Sequence, residues 1–418
     1  MTYQEVLDWI HSKLAFGIKP GLERMAWMLN ELGNPQESLK AIHVVGTNGK
    51  GSTVNDLQHI LTASGYEVGT FTSPYIMDFR ERISLNGHMM SKEDLVAIAE
   101  LAKPVVERLP LETDLEAATE FEVITLLMFL YFGAYHPVDV AIIEAGMGGR
   151  YDSTNLFNAL AVICPSIGLD HQAVLGNSYA EIAREKAGVL KAGEPFIFAS
   201  ENADVLAVFQ EEAQKHANPL YQYGKDFAMK EAGQLSYISP TSRLSDIELA
   251  MPGHHQVVNA ALVLKTLELL QIDFPKVTEE SIRQGLAQAS WLGRTELMRP
   301  NLMIDGAHNN ESIEALVELM TSRYRDKKVH ILFSAIDTKP IEGMLQQLEQ
   351  LGDVTVTSFD YPNAVALEAY PERYQSILDF KTWLSECQSD STDDFYLVTG
   401  SLYFISQVRH YLLESSYD

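Results

Sequence analysis

Asn48, Gly49, Lys50, Gly51, Ser52 and Thr53 place a glycine-spaced turn, one ammonium group and two hydroxyls within six residues. Together these groups suit a polyphosphate. Backbone N–H groups of such a turn and of a following helix cradle phosphate oxygens, lysine supplies a mobile positive charge, and a hydroxyl can reach a metal. The apolar, β-branched run Ala41-Ile42-His43-Val44-Val45 just before it has the pattern of a buried strand, and Val54, Leu57 and Leu61 just after it share a helical face. The spacing departs from the standard P-loop, because Val44 stands where the first glycine belongs and Gly51 separates Lys50 from the hydroxyls. Taken alone, the stretch also fits an ordinary strand-to-helix turn.

Further polar groups fall where strands are expected to end, the position at which open α/β sheets bind ligands. Ser73 follows an expected strand at 66–71. Glu144 closes another at 138–143, and Gly146, Gly148 and Gly149 come directly after it. Asp170-His171 follow Ile167-Gly168, and Lys186 sits in the helical run 182–188. Each has a dull explanation: a turn cap, a satisfied loop histidine, a surface pair of Lys186 with Glu181 or Glu185. A carboxylate on a buried strand, however, must be paired or bind a metal. With a phosphate turn on the same sheet edge, a magnesium and phosphate site is expected, since Mg²⁺ takes oxygen ligands and retains waters. His171 is a less usual ligand for that ion.

The whole chain sets bounds on this chemistry. At 418 residues it exceeds one typical core, so two domains are expected. A formal net charge of −26 excludes a general nucleic-acid binder, because phosphate affinity comes from Lys and Arg. Cys164 and Cys387 alone cannot build a disulfide framework or a cysteine zinc site. The first fourteen residues lack the basic region and apolar core of a secretory signal, and the most apolar stretch, 123–135, is too short to span a bilayer. A cytoplasmic enzyme, with no membrane partner, is the expectation.

Periodicity places helices in 1–40, at 91–109 with Ser91 as N-cap, at 120–135 and at 256–270. Apolar runs at 138–143, 160–164 and 196–199 alternate with helical or loop segments, which implies a parallel sheet covered on both faces. Residues 221–251 read as a small antiparallel patch. Arg294 to Pro300 reads as a hinge. Beyond it, strands at 302–304, 329–333, 354–357 and 395–398 alternate with helices near 311–323, 341–351, 374–386 and 402–413. The acidic stretch 386–394 reads as a solvated loop. The fold class is therefore α/β: a P-loop-type, mostly parallel sheet domain with a small β patch over 1–296, and a smaller Rossmann-like α/β domain over 297–418.

In this order along the chain, the segments resemble the folylpolyglutamate synthase and dihydrofolate synthase family of the Mur ligase superfamily. The resemblance rests on Gly46-Thr47-Asn48-Gly49-Lys50-Gly51-Ser52-Thr53, Thr72-Ser73-Pro74, Glu81-Arg82-Ile83, Thr119-Glu120-Phe121-Glu122 and the run from Glu144 to Asn155. It continues through Asp170-His171, Glu185-Lys186-Ala187-Gly188, His255-Gln256 with Asn259, Gly293-Arg294-Thr295-Glu296, Asp305-Gly306-Ala307-His308-Asn309 and Thr399-Gly400-Ser401-Leu402. Tyr75, Gln172, Asn310 and Pro340 depart from the usual family pattern; Tyr75 stands nearest the expected pterin contacts.

The resemblance implies an ATP-dependent ligase that joins L-glutamate to the γ-carboxylate of a folate through an acyl phosphate, and a monomer. Asn48 to Thr53 would hold the triphosphate, with Asn259, Arg294 and Asp305 completing the nucleotide site. Ser73 and Glu144 would ligate one Mg²⁺, Glu144 and His171 a second, and Lys186 would be carbamylated beside them. Arg82, Thr119, Phe121 and Asp152 would lie near the pterin. Ser401 and His308 would serve glutamate in the C-terminal domain, and either Asp305 or His308 would orient or deprotonate its amine. A bifunctional enzyme that also joins dihydropteroate to glutamate stays open, as do a P-loop small-molecule kinase and a non-catalytic nucleotide-binding regulator.

Overall fold

The computed structural model describes every residue except 15, 16, 18, 192, 232, 233, 388–392 and 415–418, so most of the expected acidic loop lies outside the described residues. The chain forms two compact units: one of Met1–Tyr75, Phe79–Leu249 and Val257–Ala289, the other of Ile76–Asp78, Ala250–Gln256 and Ser290–Asp418.

In the first unit, helices α1 (Tyr3–His11) and α2 (Glu23–Glu31) precede strand β1 (Ala41–Val44), helix α3 (Lys50–Ala63) and β2 (Val68–Phe71). Then come β3 (Ile83–Leu85), β4 (His88–Met89), α4 (Lys92–Glu112), α5 (Glu120–Leu130) and β5 (Val140–Glu144). The sheet is completed by β6 (Ala159–Cys164), short α6 (Gln172–Leu175), α7 (Tyr179–Ala187), β7 (Phe196–Phe198), α8 (Ala203–His216) and β8 (Leu220–Gln222). Its order is β4-β3-β2-β5-β1-β6-β7-β8, parallel from β2 to β8, with β3 and β4 added antiparallel. Strand β1 sits between β5 and β6, with Val44 level with Glu144 on one side and Ile163 on the other. The chain leaves β1 toward β2 and leaves β5 toward β6, so the connections part here, the crevice where doubly wound sheets take ligands.

Alternation along β1 assigns its two faces. Ile42 and Val44 pack with Val54, Leu57 and Leu61 of α3 and with Ala260 and Val263 of α9 (His254–Leu269). The antiparallel patch, β9 (Ala228–Glu231), β10 (Leu235–Ile238) and β11 (Arg243–Ile247), contributes Met229, Tyr237 and Leu244 to the same core, and α10 (Glu279–Gln288) adds Leu286. On the opposite face α1, α2, α4 and α5 form one core and α7 with α8 another. Helix α4 starts as its sequence requires, with the Ser91 hydroxyl accepting the Asp94 N–H. Beyond its acidic first turn helix α5 is apolar on nearly every side, which suits the burial of residues 123–130. It runs on as one π turn over Tyr131–Tyr135. Among the described residues no helix is long and apolar enough to cross a membrane.

The second unit holds a six-stranded sheet ordered β12-β13-β17-β14-β15-β16, parallel except for β12. The strands are β12 (Glu296–Arg299), β13 (Leu302–Asp305), β14 (Lys328–Phe333), β15 (Gly352–Val356), β16 (Gln375–Ser376) and β17 (Asp394–Thr399). Helices α11 (Asn310–Arg323), α12 (Ile341–Leu348), α13 (Phe380–Glu386) and α14 (Leu402–Glu414) accompany them. Two local expectations change. The presumed hinge is edge strand β12, whose Glu296 and Leu297 pair with Ile304 and Met303 across a tight turn. Residues 374–379 are not helical: β16 pairs with β15 there, and the helix starts only where Asp379 can cap it by accepting the Lys381 N–H.

Candidate active site

The turn after β1 is held by the loop after β6. The Thr47 N–H donates to the Ser166 carbonyl at 2.9 Å, the Asn48 N–H to the Ser166 hydroxyl at 2.9 Å, and that hydroxyl donates back to the Asn48 carbonyl at 3.1 Å. The Thr47 hydroxyl accepts the Gly168 N–H at 2.9 Å. Gly49 then opens α3 at a φ of 85°, where glycine is favoured and no side-chain cap forms. A Cβ there would stand 2.6 Å from Asn259 Oδ1 and 3.0 Å from Pro165. The uncapped first turn of α3 and its dipole therefore meet a tightly bounded loop, the arrangement that binds phosphate.

Two lysines converge on one carbonyl. Lys50 Nζ donates to the Gly46 carbonyl at 3.0 Å and to that of Thr47 at 3.2 Å, and Lys186 Nζ donates to Gly46 at 2.9 Å. Lys50 Nζ also stands 3.7 Å from Glu144, whose other oxygen accepts the Ser73 N–H at 3.3 Å. Lys50, Ser73, Glu144 and Lys186 thus meet at one sheet edge. Burial, reinforced by the neighbouring Lys50 charge, pulls the Lys186 amine down to about 7, so the neutral form is abundant near neutrality. Burial pushes the adjacent Cys164 thiol up to about 12, leaving it protonated and unreactive.

His171 follows β6 at a φ of 52° with a half-exposed ring, Nε2 lying 4.0 Å from Asp170. Among the described residues no three His, Cys, Asp or Glu side chains stand together as a metal cluster. The oxygens of Ser73 and Glu144 nevertheless form a donor set that suits magnesium, whose remaining positions go to water and phosphate.

The glycine loop after β5 explains its own glycines. Gly146 lies under Phe121, whose ring would meet a Cβ at 2.4 Å; Gly149 lies against the carbonyls of Lys186 and Glu185, at 2.8 and 2.9 Å. The Arg150 N–H donates to the Glu185 carbonyl at 2.8 Å, and the Asn155 amide bridges the carbonyls of Arg150 and Gly188. Asp152 is inside this loop. It accepts the Met147 N–H at 2.8 Å, the Thr154 N–H at 3.0 Å and the Thr154 hydroxyl at 2.5 Å. His43 of β1 closes the network through Nε2 to the Thr154 hydroxyl at 2.9 Å. Burial lowers His43 to about 3, so it is neutral.

The remaining expected pterin residues, Arg82, Thr119 and Phe121, also belong to the first unit. Thr119 caps α5 reciprocally with Glu122, which also holds Arg24 at 2.8 Å in a buried ion pair. Arg82 lies over the rings of Tyr75 and Phe79. Phe121 stacks at a tilt on Phe71.

In the second unit, Asp305 ends β13 and its two oxygens accept the Thr295 N–H at 2.7 Å and the Ala307 N–H at 2.8 Å. The Gly306 carbonyl accepts Arg294 Nη1 at 3.1 Å and His308 Nδ1 at 2.7 Å. A carbonyl can only accept, so His308 Nδ1 carries a proton. Ser401 is buried at the start of α14, next to Gly400, whose N–H reaches the Ala307 carbonyl at 3.1 Å. Two participants escaped the sequence reading, Ser166 and His43. Ser166 carried a weak signal, a hydroxyl just past a strand end; His43 carried none beyond being polar on a buried strand.

A family model described as Mur ligase middle domain matches residues 44–267. Bacillus subtilis dihydrofolate synthase/folylpolyglutamate synthase is 40% identical over 428 residues, covering 98% of each chain. The chain belongs to the folylpolyglutamate synthase family. Folylpolyglutamate synthase of Lacticaseibacillus casei is 33% identical over 99% of each chain. Among solved structures, one described as an FPGS–AMPPCP–folate complex superposes with a TM-score of 0.85 at 31% identity, covering 99% of this chain and all of the other. The Mycobacterium tuberculosis folylpolyglutamate synthase complexed with ADP and AMPPCP gives 0.89 at 29% identity, over 97% and 98%. Folylpolyglutamate synthases thus match the whole length, both units included.

Proposed function

We propose that this protein is an ATP-dependent ligase that adds L-glutamate to the γ-carboxylate of a reduced folate. The observation that carries it is the convergence of Lys50, Glu144 and Lys186 on the glycine loop after β1, within a chain of this family. The folate γ-carboxylate attacks the γ-phosphate of ATP, giving an acyl phosphate and ADP; the glutamate amine then displaces phosphate to form the amide. Lys50 and the first-turn N–H groups of α3 stabilise the charge that develops on the transferring phosphoryl group. Ser73, Glu144 and His171 would hold Mg²⁺, with Lys186 beside them as a carbamate formed from its neutral amine. Bound magnesium would neutralise phosphate charge and orient the triphosphate.

In the second unit the two candidate bases separate. Asp305 is buried, and each of its oxygens already accepts a backbone N–H, which fixes the carboxylate in place. It serves to shape the loop and hold the nucleotide with Arg294. His308 orients the glutamate amine for attack, with Ser401 binding the amino acid.

The B. subtilis relative supports a second activity, the joining of dihydropteroate to glutamate. The same phosphate and amine chemistry serves both reactions. The test of mechanism is isotopic: folate labelled with ¹⁸O in its γ-carboxylate should yield one labelled oxygen in the released phosphate. Label retained entirely in the folate product would exclude the acyl phosphate.

A further inference from the structure

Among the described residues of the second unit, two buried side-chain polar atoms have no hydrogen-bond partner, and both belong to the surroundings of Asp305. Thr295 takes a φ of 43°, a genuine outlier for a β-branched residue. Such strain persists only where neighbours impose it, and it collects at functional positions. Here Asp305 imposes it by accepting the Thr295 N–H at 2.7 Å. The Thr295 hydroxyl is buried and unpartnered in a residue only 8% exposed. His255 is the second case: its Nδ1 is buried and unpartnered. Its ring is seated against Gly253, where a Cβ would stand 2.7 Å from Cε1. The ring feels the charges of Asp305, Arg294, Glu318 and His254, and burial holds its pKa below the usual histidine range.

The chemistry of these groups selects a ligand. Asp305 spends one acceptor site of each oxygen on a backbone N–H and keeps others. A neutral imidazole nitrogen and a threonine hydroxyl add one acceptor and one donor–acceptor beside it. The fixed carboxylate of Asp305 and the fixed guanidinium of Arg294 offset each other, so neither a phosphate nor an ammonium group is favoured by charge. A neutral group with adjacent hydroxyls fits, and the nucleotide of the proposed reaction carries one in its ribose. We infer that His255 and Thr295 bind the ribose hydroxyls of ATP next to Asp305 and set a preference for ribonucleotide over deoxyribonucleotide. The inference rests on the proposal that Arg294 and Asp305 belong to the ATP site.

The test measures kcat and KM for ATP, 2′-deoxy-ATP and 3′-deoxy-ATP, and KM for glutamate, in wild type and four variants. Thr295→Val removes the hydroxyl while keeping the β-branched shape, and Thr295→Ser keeps the hydroxyl. His255→Gln places its amide near the Nε2 position, and His255→Asn near Nδ1. Thr295→Val and His255→Gln should each raise KM for ATP about tenfold and erase most of the discrimination against one deoxy analogue, with glutamate KM unchanged. Thr295→Ser and His255→Asn should stay within about threefold of wild type. Circular dichroism checks the fold, and His255→Gln decides the matter if Thr295→Val does not fold. A wild type that ignores the sugar hydroxyls, discrimination intact in folded variants, or a rise in glutamate KM in place of ATP KM would each overturn the inference while leaving the ligase reading in place. A wild type that couples no ATP to glutamate overturns both.

Discussion

Gly149 offers the sharpest structural test of the site, because its role is steric and its neighbours cannot step aside. A Cβ built there lies 2.8 Å from the Lys186 carbonyl and 2.9 Å from that of Glu185, both backbone atoms at the end of α7. Against an ordinary contact of 3.4 Å the shortfall is about 0.6 Å. Gly149→Ala must therefore push the glycine loop and α7 apart by roughly half an ångström. The Arg150 N–H to Glu185 bond of 2.8 Å takes up part of that strain. Lys186 rides on the displaced segment, and misplacing a catalytic group by ~1 Å can cost about a hundredfold. We expect kcat to fall roughly 10- to 100-fold in a folded protein. Gly65→Ala is the control. It pays about 1–2 kcal/mol for its left-handed backbone, yet meets nothing within 4 Å, so it should lower the melting temperature and leave kcat alone. Steady-state kinetics with a thermal melt on both variants decides it. Wild-type kcat in Gly149→Ala would refute the claim that this loop sets the position of Lys186.

Other outcomes follow from the buried groups. Lys186→Ala should abolish turnover, and bicarbonate with a short carboxylic acid should partly restore it; full activity in the variant would exclude a carbamate. Wild-type turnover at limiting bicarbonate should rise with pH through about 7, where the Lys186 amine becomes neutral. His43 is neutral in the folded state down to about 3 but protonates near 6.5 when unfolded. The unfolded state therefore binds the extra proton between those values, so stability falls as pH drops, by about 2 kcal/mol from pH 6.5 to 5. His43→Gln should flatten that slope in urea titrations, and an unchanged slope would contradict the assignment. Arg24→Met strips the buried Glu122 of its cation and should cost ~3–5 kcal/mol. Adding Glu122→Gln, which keeps the helix cap without the charge, should recover more than half of the loss; no recovery would mean that packing of the arginine stem dominates.

What could be read in the sequence was local. The strand, turn and helix around Gly49 are contiguous, so spacing alone announced phosphate chemistry. Glu144 stood out because a carboxylate ending an apolar strand needs a partner, and Ser91 marks a helix start by its side chain; the caps Thr119 and Asp379 show only in the structure. What escaped depends on pairing across the sheet. Ser166 matters only because β6 lies beside β1, and His43 only because the glycine loop brings Thr154 back over β1. The stretch 294–300 looked like a hinge because Arg299-Pro300 breaks the pattern, whereas Pro300-Asn301 is the turn that lets β12 fold back on β13. The short β16 was hidden because two residues carry no periodicity.

Conversion of ATP to ADP is expected to be coupled to amide formation between a folate and glutamate. The direct measurement supplies purified protein with ATP, Mg²⁺, a reduced folate and L-glutamate, separates the folates by mass and counts ADP in the same tubes. One added glutamyl residue per ADP, absent when glutamate or Mg²⁺ is omitted, is the expected result. ATP consumed without glutamate, or no glutamate joined to either a folate or dihydropteroate by folded protein, would contradict it.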